Sequence, residues 1–290
     1  MASIKIGIGV PSIGRFPPYI AQAAGLFERE GLNVEIVNQK DEEKAVPDIV
    51  AGRTPIGTPN APSLIFSALD GSDIVMIGGL LNRPAFYLVA NPAITSISAL
   101  RGKRLGINQP HRMAGMTMLA LLRRWGLTVE TDLKLVDLGI NDRSLEALID
   151  KQIDAALLPP EKAFVAETRG FQIIAESLHL DFHWVPLATT RRFLLDNRDV
   201  VRKVCAIYRQ GIRLFRTQPK ETIAEITRRL PALANKPLVI EKCYKLFADV
   251  FEPSLTASLP SISAILKEVA LQDPRANEID PVSLIETVDW

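Results

Sequence analysis

Short apolar runs alternate with helical stretches in this chain, and the alternation occurs twice. The first block carries "IKIGIGV" (4–10), "NVEIV" (33–37), "TPIGT" (54–58), "SDIVMIGGLL" (72–81) and "AFYLVAN" (85–91). The second carries "GKRLGI" (102–107), "DLKLVDLG" (132–139), "IDAALL" (153–158), "FQIIAESL" (171–178) and "FHWVPLATT" (182–190). Between them lie helical patterns. Pro17 and Pro18 head "YIAQAAGLFERE", where a fixed φ suits a first turn, and Gly31 is the expected stop. "DEEKAVPDIVAG" reads as a short helix disturbed by Pro47, and "APSLIFSALDG" as a helix ending at Gly71. "NQPHRMAGMTML" (108–119) opens a helix with His111 and Arg112 in its first turn, "NDRSLEALIDK" is capped by Asn141, and Pro160 opens "PEKAFVAETRG". Strands that alternate with helices imply a parallel sheet covered on both faces. From Arg191 onward the pattern is helical, broken at Pro219, Pro231 and Pro253. The expectation is α/β, two lobes, with the helical C-terminal third packed back on one of them.

Composition excludes several classes. With 290 residues, 47% of them hydrophobic and 23% charged, the chain has a globular balance and room for two domains. A net charge of +1 gives no electrostatic case for nucleic acid. The nearest basic cluster, "TTRRFLLDNRDVVRK", interleaves Asp196 and Asp199 like a solvated helix face. No apolar run reaches the ~20 residues of a membrane helix, and "MASIKIGIGV" lacks the regions of a signal peptide. Cys205 and Cys243 stand alone, which suits buried thiols and leaves a bridge between them open. No P-loop or nucleophile elbow occurs. His179 and His183 are four apart in "HLDFHW", a segment that reads as strand or turn, so no metal site is expected there. No cofactor is expected.

In doubly wound sheets ligands sit beyond the carboxyl ends of the strands. The loops that follow the apolar runs here are "PSIGRFPPY", "NQKDEEK", "PNAPS", "NQPHRMAG" and "PPEKA". They hold many of the prolines together with Phe16, Tyr19, Asn38, Asn60, Asn108, His111, Arg112 and Glu161. Stiff loops displaying aromatic and amide groups suit a preformed small-molecule site, and His183 and Trp184 can form its walls. A cation at a helix N-terminus opposes the macrodipole unless an anion joins it. His111 and Arg112 therefore mark a candidate anion site.

The phrases "PPYIAQAAGLFEREGLNVEIV", "PIGTPNAPSLIFSALDGSDIVMIGGL", "ISALRGKRLGIN" and "LEALIDKQIDAALLPP", in this order, resemble the substrate-binding proteins of the nitrate, sulfonate and taurine class of ABC importers. The likeness covers roughly residues 4–190. It implies a type II periplasmic-binding-protein fold: two α/β lobes joined by two crossover strands, near Arg83–Tyr87 and Trp184–Ala188, closing on a ligand. Lobe I would be 1–85 and 188–290, and lobe II 86–187. The ligand would be a small, anionic organic molecule held in the cleft. Contacts would come from Ser12, Phe16, Tyr19, Lys40, Thr58, Asn60, Arg83, Asn108, His111, Arg112, Met113, Glu161, His183 and Trp184. A membrane permease is the implied partner, with the protein itself a monomer that binds no nucleic acid. Members are exported, so the resemblance implies a periplasmic or cell-envelope protein whose leader is missing here, with a cytoplasmic location as the alternative. The fold is shared with enzymes. The cysteine cluster of the thiamine-pyrimidine synthase is absent, as is the loop cysteine of the desulfinase. A dehydratase- or decarboxylase-like activity on a small carboxylate stays open as the alternative to non-catalytic binding.

Overall fold

The computed structural model describes residues 2–39, 41–139 and 143–288. The chain divides into two compact units, residues 1–82 with 182–290 and residues 83–181. In chain order the first unit opens with β1 (Ala2–Ile8), α1 (Pro17–Ala23), α2 (Leu26–Arg29), β2 (Leu32–Asn38), α3 (Ala45–Val50), β3 (Ile56–Thr58), α4 (Ala61–Leu69) and β4 (Ile74–Leu81). The second holds β5 (Tyr87–Ala90), β6 (Arg104–Ile107), α5 (Met113–Arg124), β7 (Lys134–Asp137), α6 (Ser144–Ile149), β8 (Ala155–Leu158), α7 (Pro160–Glu167) and β9 (Gln172–Glu176). The chain then returns to the first unit with β10 (Val185–Thr190), α8 (Arg191–Asp196), α9 (Arg198–Thr217), α10 (Pro219–Arg229), α11 (Pro237–Val250) and α12 (Leu259–Ala270).

Each unit has one five-stranded sheet, in the order β2-β1-β3-β10-β4 and β7-β6-β8-β5-β9. The sheets are mixed, which corrects the parallel expectation. Strand β10 runs antiparallel to β3 and β4, and β5 runs antiparallel to β8 and β9. These two strands are the ones the chain makes on entering a unit, with no crossover helix before them to force a parallel return. Strands β4 and β5, adjacent in sequence, lie in different sheets. The second expected crossover, Trp184–Ala188, falls inside the first unit, where residues 185–188 are part of β10.

Local signals explain most boundaries. Pro17 and Pro18 occupy the first positions of α1. The expected single helix over 19–30 is two, because Gly25 takes φ +67° and ends the first run of helical hydrogen bonds. Pro47 sits in the first turn of α3 and does not interrupt it, since a first-turn N–H has no helical partner to lose. Asn141, the expected cap of α6, lies outside the described residues.

The core of the first unit combines the sheet with the helical third. Helix α9 buries Val201, Val204, Cys205, Tyr208, Gly211, Ile212 and Phe215, a three-and-four spacing that makes one continuous stripe. Gly211 lets α9 cross close to α1, because a Cβ there would collide with the carbonyl oxygen of Pro17. The outer edge of β4 is covered by later chain. Gly79 N–H donates to Leu255 O at 2.8 Å, Glu252 N–H to Leu80 O at 3.0 Å and Glu286 N–H to Met76 O at 2.9 Å. Gly78 and Gly79 leave room for that approach, since a Cβ on either would lie 2.9 Å from a carbonyl oxygen of residues 255–256. Cys205 and Cys243 are both buried and unbridged.

Candidate functional site

Strands β1, β2, β3 and β4 of the first unit point the same way, so their carboxyl ends and the start of β10 share one sheet edge. That edge gathers Val10, Asn38, Gln39, Thr58, Asn60, Asn82, His183 and Trp184. A buried ion pair organises it. Arg15, 4% exposed, places Nη2 3.0 Å from Oε1 of Glu42, which is 7% exposed. Its other donors are also engaged. Nε reaches Thr58 O at 3.0 Å, Nη1 reaches Val10 O at 3.3 Å, and Nη2 also reaches Asn60 Oδ1 at 2.9 Å. Glu42 in turn accepts from Val10 N–H at 3.2 Å. One guanidinium therefore ties together the loops after β1, β2 and β3. Glu42 balances the Arg15 charge, and beside the pair the edge presents hydroxyl, amide and aromatic groups.

Two groups on these loops are left over. Ser12 Oγ and Thr58 Oγ1 are buried and have no hydrogen-bond partner among the described residues. A buried hydroxyl without a partner forfeits about 1–3 kcal/mol, so native proteins rarely keep one unless something else supplies the bond. Beside them Phe16 and Tyr19, 1% and 3% exposed, pack with ring centroids 5.3 Å apart. The Tyr19 hydroxyl donates to Asn38 Oδ1, and the Arg229 guanidinium lies 4.2 Å from its ring centroid. Burial pushes the Tyr19 phenol up, an effect opposed by the Arg229 charge.

His183 is fully buried beside Gly79. The Asn82 amide next to it is oriented by three partners. Its Nδ2 donates to Thr256 O at 3.0 Å, and its Oδ1 accepts from Ser258 N–H at 3.0 Å. The same Oδ1 lies 2.8 Å from His183 Nδ1, so Nδ1 must carry the proton. Nε2 is then a buried acceptor without a hydrogen-bond partner among the described residues. Burial pushes this imidazole down to about 3, and it stays neutral at physiological pH. Trp184, 5% exposed, accepts from Ala61 N–H at 3.0 Å through its carbonyl and donates to Leu81 O at 2.9 Å.

In the second unit β6, β7 and β8 are parallel, and the loops beyond their carboxyl ends hold Asn108, Ser144 and Glu161. Asn108 Nδ2 donates to Ser144 Oγ at 2.8 Å. Glu161 is half-buried in the first turn of α7. Here the structure corrects the reading of "NQPHRMAG". Helix α5 starts at Met113, which is buried, and Arg112 is its N-cap with extended backbone. His111 and Arg112 thus precede the first turn instead of occupying it. Gln109 takes φ +44°, and Arg112 N–H closes a turn onto Gln109 O at 3.0 Å before the helix begins. His111 is exposed and Arg112 half-buried. Gln109 Oε1 is buried with no hydrogen-bond partner among the described residues. Arg83 is exposed and pairs with Asp181 at 3.8 Å. Lys40 lies outside the described residues. Arg15, Gln39, Glu42 and Gln109 lie in the loops the sequence marks, but their pattern does not single them out. Polar side chains in proline-rich loops look solvated until the fold brings a partner from another loop.

The NMT1/THI5-like family model matches residues 14–222. The chain belongs to this family. It is similar in structure to the periplasmic aliphatic sulphonate binding protein SsuA of Escherichia coli, with a TM-score of 0.82 at 18% identity over 100% of this chain and 93% of that one. The alkanesulfonate-binding SsuA of Xanthomonas axonopodis pv. citri, bound to MOPS, gives 0.76 at 17% identity, over 98% and 96% of the two chains. At these identities the likeness establishes the fold, which is that of the periplasmic binding proteins. In sequence the chain is 26% identical over 144 residues to the 4-amino-5-hydroxymethyl-2-methylpyrimidine phosphate synthase of Uromyces fabae. That match spans 49% of this chain and 41% of the length of that relative. The chain lacks the cysteine cluster of the synthase and is similar to it in sequence over about half of its length.

Proposed function

We propose that this protein captures a small organic molecule carrying an anionic group, as the substrate-binding protein of an ABC importer. The observation that carries the reading is the pair of orphaned hydroxyls, Ser12 Oγ and Thr58 Oγ1, held around a charge-balanced Arg15–Glu42 pair. Such groups are pre-oriented by rigid loops and complete their hydrogen bonding when a ligand arrives. The sulfonate-binding structural neighbours support the same ligand class and an envelope location. A membrane permease would be the partner. Ligand contacts at this edge would include Phe16, Tyr19, Asn60 and Trp184.

The sequence relationship to a pyrimidine phosphate synthase favours a second reading, an enzyme of the same fold. The groups available for acid–base work support the first. His183 is held neutral in the core, His179 and His111 are exposed, and Cys205 has its thiol pushed far up by burial. Mass spectrometry of small molecules released from the heat-denatured protein tests the proposal. An anionic organic molecule recovered in a stoichiometric amount supports it. Its loss on combining Ser12→Ala with Thr58→Val places it at this edge, and undiminished recovery from that variant overturns the assignment.

A further inference from the structure

Asn60 is the N-cap residue of α4, yet its side chain makes no cap hydrogen bond. An asparagine in that position ordinarily accepts from the second or third N–H of the helix. Here Oδ1 is turned to Arg15 Nη2 at 2.9 Å instead. The first turn of α4 shows the consequence. Ala61 N–H is spent on Trp184 O, Pro62 has no N–H, and Leu64 N–H bonds to Asn60 O at 3.3 Å. Ser63 N–H, which the cap would have served, has no hydrogen-bond partner among the described residues.

The Arg15 contact also fixes which end of the Asn60 amide faces away from it. A guanidinium carries donors only, so the atom it touches is the carbonyl oxygen, and Nδ2 is left on the other side of the amide. Asn60 is half-buried, and its Nδ2 has no hydrogen-bond partner among the described residues. Two residues earlier stands Thr58, 0% exposed, with its Oγ1 unpartnered. Ser12 Oγ, also unpartnered, lies on the loop that the same guanidinium ties to Thr58. A hydroxyl adapts by donating or accepting, whereas Nδ2 and the Ser63 N–H can only donate. Arg15 is itself committed, because Nε, Nη1 and Nη2 each hold an oxygen of the protein. It positions the donors of this edge. A group that completes the set must bring acceptor oxygens. A carboxylate or sulfonate brings several, and an ammonium brings none.

We propose that Asn60 is a specificity-determining residue of the sheet-edge site. Its Nδ2, oriented by Arg15, donates to an oxygen of the ligand's carboxylate or sulfonate, so the ligand meets this edge by its anionic end. This rests on the reading of the edge as the ligand site. The test is titration calorimetry of the wild type, Asn60→Asp and Asn60→Ser with a panel of alkanesulfonates and small aliphatic carboxylates, with circular dichroism to verify that both variants are folded. The two substitutions separate recognition from support. Aspartate keeps an acceptor for Arg15 and replaces the donor by a negative oxygen. Serine gives up the Arg15 contact and is itself a favoured N-cap residue, able to satisfy the Ser63 N–H. For a panel member that binds the wild type, Asn60→Ser should weaken binding about tenfold or more, the size of losing a hydrogen bond to a charged group. Asn60→Asp should weaken it about a hundredfold or more, since repulsion between like charges adds to the lost donor. If Asn60 served only to hold Arg15, the order of the two variants would be reversed. Unchanged binding by Asn60→Ser, or Asn60→Asp binding as well as Asn60→Ser, overturns this inference alone. No binding of any panel member by the wild type overturns the reading beneath it, and the inference with it.

Discussion

Acidification from pH 7 to pH 5 should cost the fold about 2 kcal/mol through His183 alone. The side chain is fully buried, and its imidazole is pushed down to about 3 by loss of solvent. In the unfolded chain the same group titrates near 6.5. Between these values the unfolded state binds a proton that the folded state refuses, so stability rises with pH across that window and falls as pH drops below about 6.5. The slope is about 1.4 kcal/mol per pH unit, which gives about 2 kcal/mol at pH 5 and about 3.4 at pH 4. Protonation would also place a second donor at the buried Nε2, which has no acceptor among the described residues. Urea unfolding of the wild type and of His183→Asn at pH 7, 6 and 5 measures the term. The asparagine amide can still donate to Asn82 Oδ1 but does not titrate. The variant should be less stable at pH 7 and lose less on acidification, the difference between the two proteins shrinking by about 2 kcal/mol by pH 5. Carboxylates and the exposed His111 and His179 contribute equally to both and cancel. Parallel curves would refute the reasoning and show that this ring reaches solvent.

Two further expectations concern how the edge and the helical layer are held. Arg15→Met leaves Glu42 buried without its cation and should destabilise the first unit by about 3–5 kcal/mol, while Arg15→Met combined with Glu42→Gln should recover most of that, as equilibrium unfolding of the three variants would show. Gly211→Ala forces α9 away from the Pro17 carbonyl and should lower stability by about 1–3 kcal/mol with unchanged helix content, read by thermal unfolding and circular dichroism.

Much of this architecture was legible in the chain, because its cause is local. Period-two alternation in "NVEIV" and the proline pair ahead of α1 are signals within a few residues, and β2 and α1 lie where they point. The helical third followed from periodicity, and α9 buries the stripe its sequence marks. What was not legible depends on distant partners. The antiparallel direction of β5 and β10 is set by how the chain enters each unit, which no window of residues records. Arg15 and Glu42 are 27 positions apart, and each alone reads as a solvated loop charge. Helix α5 starts at Met113, past His111 and Arg112, because the turn ahead of it carries no apolar periodicity that would mark the boundary. The orphaned hydroxyls of Ser12 and Thr58 could be found only once burial and every neighbouring donor were known.

The central claim is that this protein holds a small organic anion and leaves it chemically intact. Calorimetric titration of the purified protein with a panel of alkanesulfonates, MOPS included, and of small aliphatic carboxylates tests it most directly, provided each bound compound is recovered and weighed by mass spectrometry after long incubation with excess ligand. The account predicts one-to-one binding of at least one panel member, weakened about tenfold or more by Ser12→Ala with Thr58→Val, with the compound returned unchanged. No binding across the panel, or conversion of more ligand than there is protein, would contradict it.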